Sequence, residues 1–229
     1  MKKRKQKVRK VIIIASVMIL FLIGYHYYRT QKNNYNLIKI NRSEYLVYTE
    51  KETQYGNYNQ YKPFLNIKGE TGTLINQDIT SYLSNFEKEN ICVTYDYDIN
   101  GKVLSLILKV EDYSYVESAA VLYFRSYHVR LDTLDILSNE DILEFFDMNQ
   151  ESFNSILNQK IEEYYYGLVN QNLINANQCD FSCFLEARDF TNGIEDVELF
   201  VKDGKLVAFK PYIFMVEDAE EVHYSFEIE

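Results

Sequence analysis

Two dipeptides, Asn100-Gly101 and Asp203-Gly204, set the frame for this chain. Apolar runs flank each of them: Cys92 to Tyr97 and Val103 to Val110 around the first, Val197 to Val201 and Leu206 to Phe209 around the second. Tight hairpin loops need positive φ, which Gly, Asn and Asp adopt at the least cost. Each half of the chain therefore contains an antiparallel strand pair. Ala120 to Val129 reads as a third strand beside the first pair, and Val222 to Ile228 as a closing strand. Tyr45, Val47 and Thr49 alternate as a strand does, and Pro63 to Ile67 reads as another.

Helices follow from the 3.6-residue period. Leu74, Ile75, Ile79, Tyr82, Leu83 and Phe86 predict one over 76–87. Ser138 or Asn139 caps a short helix with Glu140 and Asp141 in its first turn. Asn149 caps a longer one to about Tyr166, with Phe153, Ile156, Leu157, Ile161 and Tyr164 on one face. Helices segregated from antiparallel strands predict an α+β class. The order helix, strand, turn, strand recurs in both halves. Two packed α+β subdomains with antiparallel sheets are expected, over 44–132 and 133–229.

The N-terminus reads differently. Residues 1–10 carry seven Lys and Arg, and Val11 to Gly24 follows without a charge. Tyr25 to Tyr28 extends the uncharged stretch to Arg29. At 1.5 Å per residue it spans about 27 Å, close to the thickness of a bilayer core. Its tyrosines fall where an interfacial aromatic belt lies. A cleaved signal peptide is the rival reading, but no A-x-A pattern follows the apolar run. The expectation is a basic cytoplasmic segment at 1–10, an uncleaved transmembrane helix at 11–28, and a juxtamembrane spacer at 29–43. The body would then be extracytoplasmic, with a single-pass cell-membrane localisation.

Charge narrows the partners. The chain has 24 Lys and Arg against 34 Asp and Glu, and eight of the basic groups but no acid lie in residues 1–30. The rest therefore carries 16 basic against 34 acidic groups, a net of -18. A body that acidic is a poor nucleic-acid binder and suits a basic partner. Its 21 Tyr, with no Trp, supply amphipathic contact area. Tyr55, Tyr58 and Tyr61 recur at three-residue spacing, and Tyr113 and Tyr115 flank the long strand.

Catalytic motifs are missing. The chain holds no G-x-S-x-G, S-x-x-K, P-loop, G-x-G-x-x-G or H-E-x-x-H. His128 and His223 alternate with apolar residues in strands, which reads as solvated strand-face histidines rather than a triad base. Glu162 and Glu163 face apart on a helix, and Asp96 and Asp98 share a strand face beside a turn. Glu217, Asp218, Glu220 and Glu221 read as a solvated acidic loop. No catalytic residue, metal or cofactor is expected. Cys179 and Cys183, four apart, form a disulfide or stay inert; a metal site would need further ligands.

Several segments carry a resemblance: Tyr45 to Tyr48, the helix beginning Leu74-Ile75-Asn76, Val93 to Val110, Tyr123 to Asp132, Phe153 to Leu157, and the C-terminal DGKLVAFKPYIFMVEDAEEVHYSFEI. Over 44–229 the chain resembles the extracytoplasmic region of lysozyme-sensing anti-sigma factors of Gram-positive bacteria. The same region precedes the catalytic domain in certain peptidoglycan deacetylases of bacilli. Phe209-Lys210-Pro211-Tyr212 keeps the family's C-terminal strand ending, whereas Met215 to Ala219 departs from its Pro-Tyr-Ala-x-Gly turn. Tyr115 to Ala119 replaces its Gly-Gly-Ala-His-Gly-like loop. Ten mostly basic residues leave no room for a sigma-binding segment, and no third domain follows Glu229, so neither whole-protein activity is expected.

The resemblance and the anchor together imply a membrane-anchored, non-catalytic extracytoplasmic domain that binds or senses a cell-envelope ligand. That ligand would be a basic protein such as lysozyme, or peptidoglycan. Tyr113, Tyr115 and Glu117, with Glu217, Asp218, Glu220 and Glu221, are the expected binding residues. Two other readings stand beside it: a structural subunit docking on another envelope protein, and a carboxylate-based enzyme acting on cell-wall glycans.

Overall fold

The computed structural model describes residues 45–116, 119–187, 197–210, 212–215 and 225–229. Among them, ten strands form two sheets. The strands are β1 (Val47–Tyr55), β2 (Tyr58–Leu65), β3 (Ile91–Asn100), β4 (Val103–Val116), β5 (Ala119–Arg130), β6 (Asp135–Leu137), β7 (Glu198–Lys202), β8 (Lys205–Phe209), β9 (Tyr212–Met215) and β10 (Ser225–Glu227). The helices are α1 (Glu70–Ser84), α2 (Asn139–Phe145), α3 (Gln150–Asn170) and α4 (Phe181–Ala187). The class is α+β.

The larger sheet runs β1-β2-β3-β4-β5-β6, and β9 pairs with β5 on the side that β6 also uses. β9 thus brings the C-terminal part of the chain into a sheet built mainly from 44–132. The smaller sheet runs β10-β8-β7. β2 meets β3 in parallel at Gln60 and Val93. There the Gln60 amide donates to the carbonyls of Phe86, Lys88 and Ile91, tying the chain between α1 and β3 to β2.

Alternation gives the large sheet two unlike faces. Leu106, Leu108 and Val110 on β4 share a face with Arg125 and Tyr127 on β5, their cross-strand partners and neighbours. Arg125 and Tyr127 both bond Asp78, so α1 lies over this face, burying Ile75, Ile79 and Leu83. Asn76 on α1 accepts from the Leu65 amide and donates to its carbonyl, taking the place of a strand partner. On the opposite face Ile107, Leu122 and Phe124 pack against Phe200, with Phe209 alongside. Behind the small sheet, Leu199, Val201, Leu206, Ala208 and Phe226 bury themselves against Ile142, Phe153, Leu157, Ile161, Tyr165 and Phe184 of the helices. The order in space is helix, sheet, sheet, helices.

The turns decide the register. Gly101 takes φ 60° at the first loop position between β3 and β4, the pattern of a type II′ turn, and Gly56 does the same between β1 and β2. Asp203 and Gly204 take φ 52° and 79°, the pattern of type I′. Ser138 and Asn149 each close a capping box, with Asp141 and Ser152 as the reciprocal partners.

The membrane anchor requires correction. Among the described residues no helix is long and apolar enough to cross a membrane. Residues 11–28, where the anchor was expected, lie outside the described residues. Over the described residues the fold class is α+β, with no transmembrane helix among them. Membrane attachment, the single-pass extracytoplasmic localisation, the envelope partners and the anchored sensing role rested on that helix and are withdrawn with it.

Candidate functional site

Lys109, Glu111 and Tyr113 alternate along β4 and share one side of it. The Lys109 ammonium pairs with the Glu111 carboxylate at 2.6 Å, both side chains being about three-quarters covered. The Tyr113 hydroxyl donates to the other Glu111 oxygen at 2.7 Å. Tyr58, at the start of β2, stacks on Tyr113 with ring centroids 5.0 Å apart and planes 26° apart. Burial first, and then the bond to Glu111, hold the Tyr113 hydroxyl well above its ordinary pKa, so it stays a donor. Next along the strip are Cys92 on β3 and the Asn59 backbone, which interacts with its thiol. The Asn59 side chain donates to the Tyr61 hydroxyl at 3.2 Å. Burial and the nearby Glu111 raise the Cys92 thiol pKa, against a smaller pull from Lys109. A protonated thiol is a poor nucleophile.

A second constellation has the composition of a hydrolytic triad. Asp98, Ser105 and His128 lie in one cross-strand row over β3, β4 and β5. Ser105 Oγ is 3.0 Å from His128 Nδ1. The geometry serves the fold instead. Both residues are buried, at 0% and 2% exposure, so no substrate reaches the hydroxyl. The Asp98 carboxylate accepts from the amides of Ile99 and Asp203 rather than orienting the imidazole. Ser105 Oγ accepts from the Val201 amide across the sheet–sheet joint. His128 is thus a core residue, which corrects its reading as a solvated strand-face histidine. The missed signal was Ser105 itself, a lone hydroxyl in the apolar run Val103 to Val110.

The third polar group lies under α1. One Asp78 oxygen accepts from Arg125 Nε and Nη2 and from the Tyr127 hydroxyl. Burial, then Glu198, push the Tyr82 hydroxyl up to about 12. Glu198 takes the amide and hydroxyl of Ser126. That amide sits on the stretch of β5 between its pairings with β9 and β6. Glu198 therefore fills a break in the sheet edge, which is a structural task.

Asp96 pairs with Lys202, and Asp98 takes the Asp203 amide, so these two carboxylates join the β3–β4 and β7–β8 turns. Cys179 and Cys183 are joined by a disulfide, their Cα atoms 5.2 Å apart. The Tyr165 hydroxyl donates to the Cys179 carbonyl beside it. Among the described residues no group of three His, Cys, Asp or Glu is placed to hold a metal.

Of the binding residues expected from sequence, Tyr113 lies in the strip. Tyr115 falls in β4, and Glu117, Glu217, Asp218, Glu220 and Glu221 lie outside the described residues, as does His223. Lys109, Glu111 and Cys92 went unnoticed because the strand from Val103 was expected to end at Val110. Once β4 runs to Val116, the period-two spacing of 109, 111 and 113 shows them on one side.

No protein-family model matches the chain, and neither a curated protein nor a solved structure matches it.

Proposed function

We propose that the chain is not an enzyme, and that its body is an interaction module presenting the strip Tyr58, Lys109, Glu111 and Tyr113 to a macromolecular partner. The Tyr58–Tyr113 stack carries this reading. Its rings are partly exposed and held in one arrangement by stacking and by the bond to Glu111. Rigid tyrosines offer large contact area at small entropic cost on binding. The polar groups with catalytic composition serve internal tasks instead: Ser105 and His128 join sheets, Glu198 closes a strand edge, and Asp78 is occupied by three donors. The resemblance of Val93 to Val110 and Tyr123 to Leu131 to a domain of sensing proteins supports kinship with binding rather than catalytic domains.

The test is capture from a cell extract with the full chain and with the double variant Tyr58→Ala, Tyr113→Ala as baits. The two baits are first matched by circular dichroism and melting. A protein held by the native chain and lost from the variant, with the difference reproduced using purified partner, supports the reading. Identical captured sets sink it.

A further inference from the structure

The hydrogen bonds through His128 run in one direction. The Val201 amide on β7 donates to Ser105 Oγ at 3.0 Å, and Oγ faces His128 Nδ1 at 3.0 Å. A serine hydroxyl carries one proton. Oγ can accept from two donors, so the amide alone does not set the tautomer; the Leu199 carbonyl does, by drawing the ring proton to Nε2 and leaving Nδ1 to accept from Oγ. Nε2 is buried without a hydrogen bond of ordinary geometry, while the Leu199 carbonyl on β7 interacts with the ring.

Protonation disrupts this arrangement twice. Nδ1–H and the Val201 amide would both point at Oγ, and the hydroxyl proton would have to turn away within a fully buried site. The ring would also carry a charge at 2% exposure, a cost that the Leu199 carbonyl offsets only in part. The charged groups around it are committed elsewhere. Asp98 on β3 holds the Asp203 amide, Glu198 on β7 holds Ser126, and Lys109 on β4 pairs with Glu111. Arg130, two residues on along β5, shares the strand face of His128 and stands opposite Asp135 on β6.

We propose that the Ser105–His128 pair is an acid-released latch. Neutral, it clamps β7 to β4 and β5; protonated, it frees the three-stranded sheet and the helices behind it from the larger sheet. The environment agrees with this. Burial pushes the His128 pKa down to about 4 against the Leu199 carbonyl, which favours the charged form. The ring stays neutral until the medium is distinctly acidic.

The experiment uses the full chain, native and His128→Gln. A glutamine oxygen accepts the Ser105 proton but does not titrate. Hydrogen exchange at the Val201 amide, corrected for its intrinsic pH dependence, is followed from pH 7.5 to 3.5 beside the NMR shifts of the His128 ring. In the native chain Val201 protection is expected to fall at least tenfold as the ring titrates, before Leu106 and Leu108 lose theirs. His128→Gln should hold Val201 protection through the same range. Equal loss in both proteins overturns the latch. So does ring titration with Val201 still protected, or loss at Val201 only together with the whole of β4. If His128→Gln does not fold, the native ring and amide titrations decide alone, by those last two outcomes.

Discussion

Gly72 lies so close to Ile67 that a Cβ built on it would sit well inside contact distance of the Ile67 carbonyl oxygen. The third position of α1 is thereby pressed onto the chain that leaves β2. Gly to Ala inside a helix ordinarily stabilises by about 1 kcal/mol. Here the neighbour is backbone and cannot turn away, so the sign reverses. Gly72→Ala should lose about 1–3 kcal/mol, the usual cost of overpacking. Gly167 in α3 is the control, because a Cβ there meets nothing within 4 Å. Gly167→Ala should gain about 0.5–1 kcal/mol. Urea denaturation of both variants checks the pair, and equal effects would refute the close approach.

Phe200 is the main apolar side chain between the sheets. It is 1% exposed and packs with Ile107, Leu122 and Phe124. The Phe209 ring centroid lies 5.1 Å from that of Phe124, the rings tilted, and 6.2 Å from that of Phe200, but Phe209 is itself only partly buried. Truncating a fully buried Phe costs about 3–5 kcal/mol. Phe200→Ala should therefore cost about that, and Phe209→Ala clearly less. Denaturant midpoints in the reverse order would mean that Phe209, not Phe200, fills the joint.

Both capping boxes can be tested singly. Ser138 Oγ accepts from the Asp141 amide while the Asp141 carboxylate takes the Ser138 amide; Asn149 and Ser152 repeat this at α3. Ser138→Ala and Asn149→Ala should each cost about 1 kcal/mol. The bonds to Ser138 also hold the Asp141 carboxyl below its ordinary range. Ser138→Ala should raise that pKa toward the usual value, which a carboxyl NMR titration reads directly.

The two caps show what was legible in sequence. A side chain that acts on its own neighbours leaves a local signature, so both N-caps and the Asp203-Gly204 turn stood out. The β1–β2 hairpin was equally local. Tyr55-Gly56-Asn57-Tyr58 carries a glycine hairpin signal, yet the polar content of β1 masked its strand character. That content suits an outer strand, since β1 exposes Glu50, Lys51 and Glu52 and bulges between Thr49 and Lys51. Charge and a bulge protect a sheet edge from further pairing. Tertiary relations left weaker traces. β9 is short and gains its place from β5, far away in sequence. The burial of His128 depends on β7 crossing over Ser105, which no pattern around residue 128 encodes. The Tyr58–Tyr113 stack likewise joins strands that meet only through the parallel contact of β2 with β3.

The same buried imidazole fixes how stability responds to pH. His128 titrates at about 4 in the folded chain against 6.5 ordinarily. As pH falls, the unfolded chain binds this proton first, so folding loses stability where the unfolded state holds more protons. The contribution is complete above about pH 6.5, declines between 6.5 and 4, and changes no further below. A gap of about 2.5 pH units is on the order of 3 kcal/mol. Asp132 and Asp141 have lowered pKa values, set first by Lys102 and by the Ser138 amide respectively, so their contributions fade only below the ordinary carboxylate range. The loss between pH 6.5 and 4.5 should therefore belong mostly to His128. Urea midpoints at half-unit steps should slope downward there in the native chain and stay nearly flat in His128→Gln. Parallel slopes in the two proteins would show that the ring keeps an ordinary pKa and is not buried as described.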